Sequence, residues 1–243
     1  MRDPFKELCR LAGTAVVRYR MIAENDRVLV ALSGGKDSTA LLRVLLRLRA
    51  AAPISFDLVA ATVDPGWEEF NAEESARLCR EVGVEHHIVP LPVARILAEK
   101  GAEESPCVLC SRLRRGHLYR LARELRCGKL ALGQHLDDLA VSFLMSLCRG
   151  QGLRTMAPFV PPAPGSGNPA VIRPLALAPE ALISECAAAW ELPRAGVCKY
   201  RETLENGDRL YFRQLLDTLE KRIPGLRGNL LHSLGKVEVD HLL

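Results

Sequence analysis

Residues 27–50 read RVLVALSGGKDSTALLRVLLRLRA: a continuous apolar run, two adjacent glycines, then apolar residues returning at helical spacing. An uninterrupted apolar strand is one buried on both faces, and such strands belong to parallel sheets covered by helices on either side. Gly34 and Gly35 end the run and let the backbone turn into a helix without interference from a Cβ. The same alternation recurs along the chain. DLVAATVD (57–64), EHHIVPL (85–91), GKLALG (128–133) and VIRPLA (171–176) read as further strands. Helical patterns fill residues 39–50, 68–83, 111–126, 137–150 and 179–192. Short links between alternating types predict an α/β fold, a parallel twisted sheet with helices on both faces. APFVPPAPGSGNPA (157–170) breaks the rhythm with prolines and glycines and reads as a loop excursion.

A chain of 243 residues has room for one large α/β domain with a small appendage. The pattern divides it into an N-terminal helix packed on the domain (1–26), the α/β domain (27–195) and a C-terminal helical extension (196–243). No apolar run reaches the roughly 18 residues that a membrane span needs. Asp3 and Glu7 argue against reading the amphipathic N-terminus as a transit peptide, so a cytoplasmic protein is expected. The eight cysteines do not suggest a disulfide framework in a chain with 48% hydrophobic residues and no export signal. Cys9, Cys79, Cys127, Cys148 and Cys186 fall within helix or strand-edge patterns, as buried small apolar residues would. Cys107, Cys110 and Cys198 stand apart, in turn-like contexts beside Pro106 and Gly196.

The turn SGGKDS (33–38) has the chemistry of a phosphate site. Helix-start N–H groups attract anions, and Lys36 adds a mobile point charge. It is not a Walker A loop, because position 30 is Val and Asp37 directly follows Lys36. A carboxylate in a triphosphate cradle calls for a cation, which implies Mg2+.

RVLVALSGGKDSTALL resembles the signature of the PP-loop ATP pyrophosphatases, which cleave ATP between the α and β phosphates and adenylate their substrates. Asp64, closing the second strand, and GQHLDD (133–138) are similar to further elements of that family. The resemblance implies an adenine nucleotide alpha hydrolase-like, Rossmann-like fold. It also implies an ATP site from Ala31, Ser33, Gly34, Gly35, Lys36, Asp37, Ser38, Asp64 and Gly133, with Lys36, Asp37, Asp137 and Asp138 catalytic. RYRMIAENDRVLVALSGGKDS, CVLCSRLRRGHLYRLA, GQGLRTMAP (150–158) and VIRPLA look like the tRNA 2-thiocytidine synthetase (TtcA) branch, from about Val17 to Pro179. That branch implies an ATP-dependent tRNA sulfurtransferase, which adenylates a base carbonyl (cytidine C2 in the anticodon loop) and replaces the oxygen with sulfur. It further implies a [4Fe–4S] cluster held by Cys107, Cys110 and Cys198, a sulfur donor such as a cysteine desulfurase, and a homodimer.

By spacing alone, Cys-x-x-Cys serves zinc, iron–sulfur and redox sites alike. Three cysteines without an obvious fourth suit a cluster with one open iron better than a closed zinc site. Zn2+ remains the alternative, with His86 or His87 completing it, and a redox dithiol also stays open. Arg112, Arg114, Arg115, Arg120 and Arg123 follow the thiols directly, while Leu113, Leu118, Leu121 and Leu125 supply the apolar side. This basic strip fits a polyanion, and tRNA is the expected partner. Tyr119 and Tyr200 are candidates for base stacking.

The chain departs from the branch at several points. Val141 and Ser142 stand where a Glu-Thr pair is usual, Cys198 is not followed by a second Cys-x-x-Cys, and Pro179 and Glu180 replace basic residues. The zinc-binding cysteine pairs of the thiouridine-forming relatives are absent. Two other functions therefore stay open: adenylation of another acceptor (lysidine-type tRNA amination or a small molecule), or a nucleotide-responsive RNA-binding protein.

Overall fold

The structure is a computed structural model that describes residues 3–100, 106–190, 207–238 and 240. Cys198 and Tyr200 lie outside the described residues. The chain opens with helix α1 (Pro4–Arg18), whose N-cap Asp3 accepts the Phe5 and Lys6 N–H groups at 3.0 and 3.1 Å. Strand β1 (Asp26–Ala31) leads into α2 (Lys36–Ala51), and β2 (Phe56–Asp64), α3 (Ala72–Glu81) and β3 (Glu85–Pro90) follow. Next come α4 (Val93–Glu99), α5 (Pro106–Glu124), β4 (Lys129–Ala131) and α6 (Leu136–Cys148). The short strands β5 (Phe159–Val160) and β6 (Ala170–Ile172) precede α7 (Glu180–Ala189). Two further helices, α8 (Asp208–Arg222) and α9 (Leu226–Leu234), complete the described chain.

The sheet runs β3-β2-β1-β4-β6-β5, parallel throughout except for β5, which is antiparallel to β6. Burial along β1 shows why the run had to be continuous. Val28 and Val30 join the core under α1, α2 and α7, whereas Leu29 faces the other way and packs with Val59, Leu118 and Ala122 beneath α5. From β1 the chain builds outward to β2 and β3 on one side, then to β4 and β6 on the other. This reversal opens a crevice beyond the carboxyl ends of β1 and β4, where open α/β sheets collect ligands.

Helices α8 and α9 sit on α6 through Ala140, Val141 and Leu216, with Phe212, Leu226 and Leu230 around them. Val141, where the resemblance led us to expect an acid, is 2% exposed beneath this cover, so an apolar side chain is what the site requires.

Several expectations needed correction. The 157–170 excursion contains β5, which pairs Phe159 with Ile172 and extends the sheet edge. The helix expected over 68–83 begins only at Ala72, because Asn71 caps it by accepting the Glu73 N–H at 3.1 Å. The seven-residue α4 was not expected, since its span of about two turns is too short a window for apolar spacing to establish a helix. Cys148 is exposed and Cys9 half-buried, while Cys79, Cys127 and Cys186 are buried. Burial pushes the Cys79 thiol up to about 12, and it pushes Cys9 up to about 11 against the pull of Arg47, which makes both poor nucleophiles. Cys107 and Cys110 lie inside the first turn of α5 rather than in a turn ahead of it. No helix among the described residues is long and apolar enough to cross a membrane.

Candidate active site

At the crevice lies a cavity of about 280 Å³, walled by Ala31, Ser33, Asp37 and Ser38 from the glycine turn and by Gly133 and Gln134 from the end of β4. Gly34 has φ +77°, the left-handed region that a side chain resists. Gly35 caps α2 without a side-chain bond, leaving the first N–H groups of the helix available to an anion. The Ser38 hydroxyl pins the turn: it donates to the Gly35 carbonyl at 2.9 Å, accepts the Ser33 N–H at 3.1 Å, and lies 3.1 Å from Ser33 Oγ. From β2, Ala61 and Val63 reach the wall, while Asp64 turns the chain by accepting the Gly66 N–H at 2.9 Å.

Gly133 is constrained from outside. A Cβ there would lie 3.1 Å from the Asp37 carbonyl and from the Ser38 N–H nitrogen, so β4 and the turn touch backbone to backbone. Gly133→Ala is expected to weaken ATP binding about tenfold, the scale of a 1.4 kcal/mol loss, with little change in fold. Titration with a fluorescent ATP analogue checks this; unchanged affinity would show that the contact is dispensable.

Beside the cavity, acids and bases form one continuous network. Lys36 Nζ lies 2.8 Å from both Asp37 Oδ1 and Glu180 Oε1. Burial works against its charge, but these two carboxylates outweigh that and raise its pKa, so it stays cationic. Glu180 is also bound by Arg213, and its N–H donates to Asp137 Oδ2 at 2.7 Å. His135, 2% exposed, stands 3.6 Å from Asp137 and 3.5 Å from Asp138. Burial lowers the His135 pKa, yet the neighbouring Asp137 carboxylate and the charges of Asp138, Asp37 and Glu180 raise it overall. Burial likewise opposes the Asp137 charge, but the adjoining His135, the bond from the Glu180 N–H and the charge of Arg227 hold its carboxyl at about 2.

Asp137 and Asp138 are not part of the cavity wall and are held by the C-terminal helices. Arg227 Nε is 2.7 Å from Asp137, and Arg209 and Arg213 are 3.3 and 3.8 Å from Asp138. Glu180, the acid found where basic residues were expected, is the bridge between Lys36 and Arg213. Sequence reasoning missed Arg209, Arg213 and Arg227, because charges scattered along a terminal helix read as a solvated face. It also missed Arg173, 6% exposed, which donates to Gln134 Oε1 at 2.8 Å and to the Ala157 carbonyl at 2.5 Å. Burial and the facing Arg115 depress its pKa to about 10, so it remains charged at neutral pH.

Helix α5 carries both of the other expected elements. Cys107 and Cys110 lie three residues apart in its first turn, half-buried, on one face. Two thiols so placed fit the grip of one metal centre. Among the described residues no set of three metal-ligating groups comes together, and the third expected ligand, Cys198, is outside them. His86 and His87 are engaged elsewhere: their Nε2 atoms lie 2.9 Å from Thr62 Oγ1 and 2.8 Å from Glu85 Oε1.

The arginines of α5 divide by direction. Arg114 and Arg115, with Ser111, line the cavity at the glycine turn. Arg112 and Arg120 are exposed, Arg120 lying 3.9 Å from Glu124, and Arg123 donates to Asn168 at 2.6 Å.

Comparison with known proteins agrees with this geometry. The PP-loop domain family matches residues 10–218. The chain is 40% identical over 241 residues to a tRNA-cytidine(32) 2-sulfurtransferase of Anaeromyxobacter sp. (strain Fw109-5), covering 98% of this chain and 78% of the relative. It is 40% identical over 245 residues to the protein of the same name from Deinococcus radiodurans, covering 99% and 81%. Among solved structures, the U34-tRNA thiolase NcsA from Methanococcus maripaludis, with its [4Fe-4S] cluster, superposes with TM-score 0.78 at 25% identity, over 99% of this chain and 81% of that one. The NH3-dependent NAD synthetase of Campylobacter jejuni shares the fold alone, at TM-score 0.52 and 17% identity over 97% and 93%. A match that begins within α1 and ends within α8, joined to such identity over nearly the whole chain, places this protein in the PP-loop family, in the company of the tRNA-cytidine(32) 2-sulfurtransferases.

Proposed function

We propose that this chain is an ATP-dependent tRNA sulfurtransferase that adenylates the C2 carbonyl of cytidine 32 and replaces its oxygen with sulfur. One observation carries the reading. A single helix holds two thiols in its first turn and, from the residue after Cys110, lines the nucleotide cavity through Ser111, Arg114 and Arg115.

The chemistry explains the juxtaposition. Oxide is a very poor leaving group, so the carbonyl oxygen first attacks the α-phosphorus of ATP, breaking the α–β bridge and releasing pyrophosphate. A sulfur nucleophile then adds at C2, and the C–O bond breaks with AMP carrying away the oxygen. The glycine turn and the start of α2 hold the phosphates by their N–H groups. Lys36, beside the turn, and Arg114 and Arg115, in the cavity wall, would offset the charge that grows on the phosphate oxygens. Asp37 is the carboxylate in the wall, and Mg2+ needs only one or two carboxylates when phosphates complete its shell. Cys107, Cys110 and Cys198 would hold the [4Fe–4S] cluster, which when bound supplies the sulfur. A base must leave its stack to reach this crevice, as bases do in other enzymes that modify them. The reading carries with it a cytoplasmic location, a sulfur source of the cysteine desulfurase type and self-association as a dimer.

The test is anaerobic incubation with ATP, Mg2+, sulfide and unmodified tRNA, followed by mass spectrometry of the digested nucleosides. We expect 2-thiocytidine, AMP and pyrophosphate in equal amounts, from brown protein with about four irons per cluster. No tRNA-dependent AMP formation would overturn the reading; colourless protein with stoichiometric zinc would replace the cluster.

A further inference from the structure

A second cavity, of about 230 Å³, lies along α6 beyond the nucleotide crevice. Its wall includes Ser142, Gln151, Arg149, Arg154 and Arg209. The loop that supplies most of these groups is pinned. The Ser146 hydroxyl donates to the Gly152 carbonyl at 2.9 Å, and the Thr155 hydroxyl donates to the Leu139 carbonyl at 2.6 Å. Backbone bonds add to this, Gln151 N–H to the Ser146 carbonyl at 2.9 Å and Arg154 N–H to the Gly152 carbonyl at 3.0 Å. Gly150 and Gly152 take φ of +64° and +87°, so the loop's tight path depends on them.

The charges in this pinned loop are unequally matched. Arg149 is paired with Asp208, and Arg209 lies 3.3 Å from Asp138. Arg154 makes no side-chain hydrogen bond or ion pair among the described residues. With Arg149 and Arg209 already facing carboxylates, Arg154 is the guanidinium in this wall available to an external anion. Ser142 and Gln151 add neutral donors suited to a sugar hydroxyl or a phosphate oxygen.

We propose that this cavity binds a phosphodiester of the tRNA flanking the modified base, with Arg154 as the contact that carries no internal partner. The inference rests on the tRNA sulfurtransferase reading and extends it. Position favours RNA over a separate small anion. Arg209 in this wall lies 3.3 Å from Asp138, which shares Arg213 with Glu180, the partner of Lys36, so the charges of this cavity join the network at the glycine turn. Arg173 also ties the Ala157 end of the loop to Gln134, a wall residue of the nucleotide cavity. With Arg114 and Arg115 facing the nucleotide and Arg123 bound to Asn168, α5 alone offers few arginines to an RNA backbone.

Fluorescence anisotropy of labelled tRNA with the anaerobic holoprotein, across a salt series, tests the proposal. Arg154→Ala is expected to weaken tRNA binding about tenfold and to flatten the dependence of log affinity on log salt by about 0.7 to 0.9, one phosphate contact. Arg154→Lys should restore the slope, and binding of an ATP analogue without tRNA should not change. Unchanged tRNA affinity and slope in Arg154→Ala would overturn the proposal while leaving the sulfurtransferase reading intact. Unchanged tRNA binding with lost binding of inorganic phosphate would overturn it in favour of a free-anion site. Loss of tRNA and nucleotide binding together, with a lowered melting temperature, would overturn it in favour of a structural role. A wild-type protein that neither binds nor thiolates tRNA would instead remove the reading on which the proposal rests.

Discussion

Serine in place of Cys107 or Cys110 is expected to cut thiolation by more than about 100-fold while ATP binding stays at the wild-type level. Outer partners of metal ligands are each worth about 10- to 100-fold, and loss of a ligand itself should exceed that. Serine offers a hard, protonated oxygen where a soft thiolate is needed, yet it is well tolerated in a first helical turn. The helix should therefore keep Leu118 and Ala122 in the core and Arg114 and Arg115 in the cavity wall. Three readouts separate the effects: iron content, 2-thiocytidine by mass spectrometry, and affinity for a fluorescent ATP analogue. Full thiolation by either variant would remove the metal from the reaction and favour another acceptor chemistry, such as amination, that needs no thiols. Loss of nucleotide binding would show instead that the first turn of α5 shapes the ATP site directly.

Arg227→Met should destabilise the protein by about 3 kcal/mol at neutral pH, because it strips a buried carboxylate of its partner. The Arg227 and Asp137 side chains are only 12% and 13% exposed, with 2.7 Å between Nε and Oδ1. Arg227 also lies 3.1 Å from Glu220 and is bound to Asp217, so one side chain fastens α8 and α9 to the start of α6. For a chain of this size the expected fall in melting temperature is about 6–12 °C. Arg227→Met with Asp137→Asn should recover part of that loss, since no uncompensated charge would remain. Equal melting temperatures for the single and double variants would refute the clamp.

The pH dependence has a definite sign. Asp137 titrates at about 2 when folded, below its ordinary 3.8, so its contribution of about 2 kcal/mol is present above pH 3.8 and disappears as pH falls through 2. The stability gap between wild type and Arg227→Met should accordingly narrow in acid. His135 works in the other direction. Its raised pKa gives stability that is complete below 6.5 and declines as pH rises through the folded value.

Much of the site was legible beforehand because its features are local. The RVLVALSGGKDS run specifies a strand buried on both faces, a turn that needs glycine, and a helix start that attracts anions. Each of these follows from side-chain periodicity or backbone freedom within a few residues. The Cys-x-x-Cys spacing likewise puts two thiols on one helical face, although the notion of a turn there gave way to the first turn of α5. The basic strip illustrates where local reading ends. Arg112, Arg114 and Arg115 look equivalent in sequence, yet the packing of Leu118 and Ala122 puts Arg114 and Arg115 in the wall of the cavity at the glycine turn.

The amino-acid order alone determined the alternating layers, the glycine turn and the pairing of thiols with cations on one helix. Only the tertiary structure decided which charges meet: Lys36 with Glu180, 144 residues away, Arg227 with Asp137, and Arg173 with Gln134. The reason is physical. Periodicity reports which face of an element is apolar, whereas the partner of a buried charge depends on how separate elements are docked, and no local pattern records that.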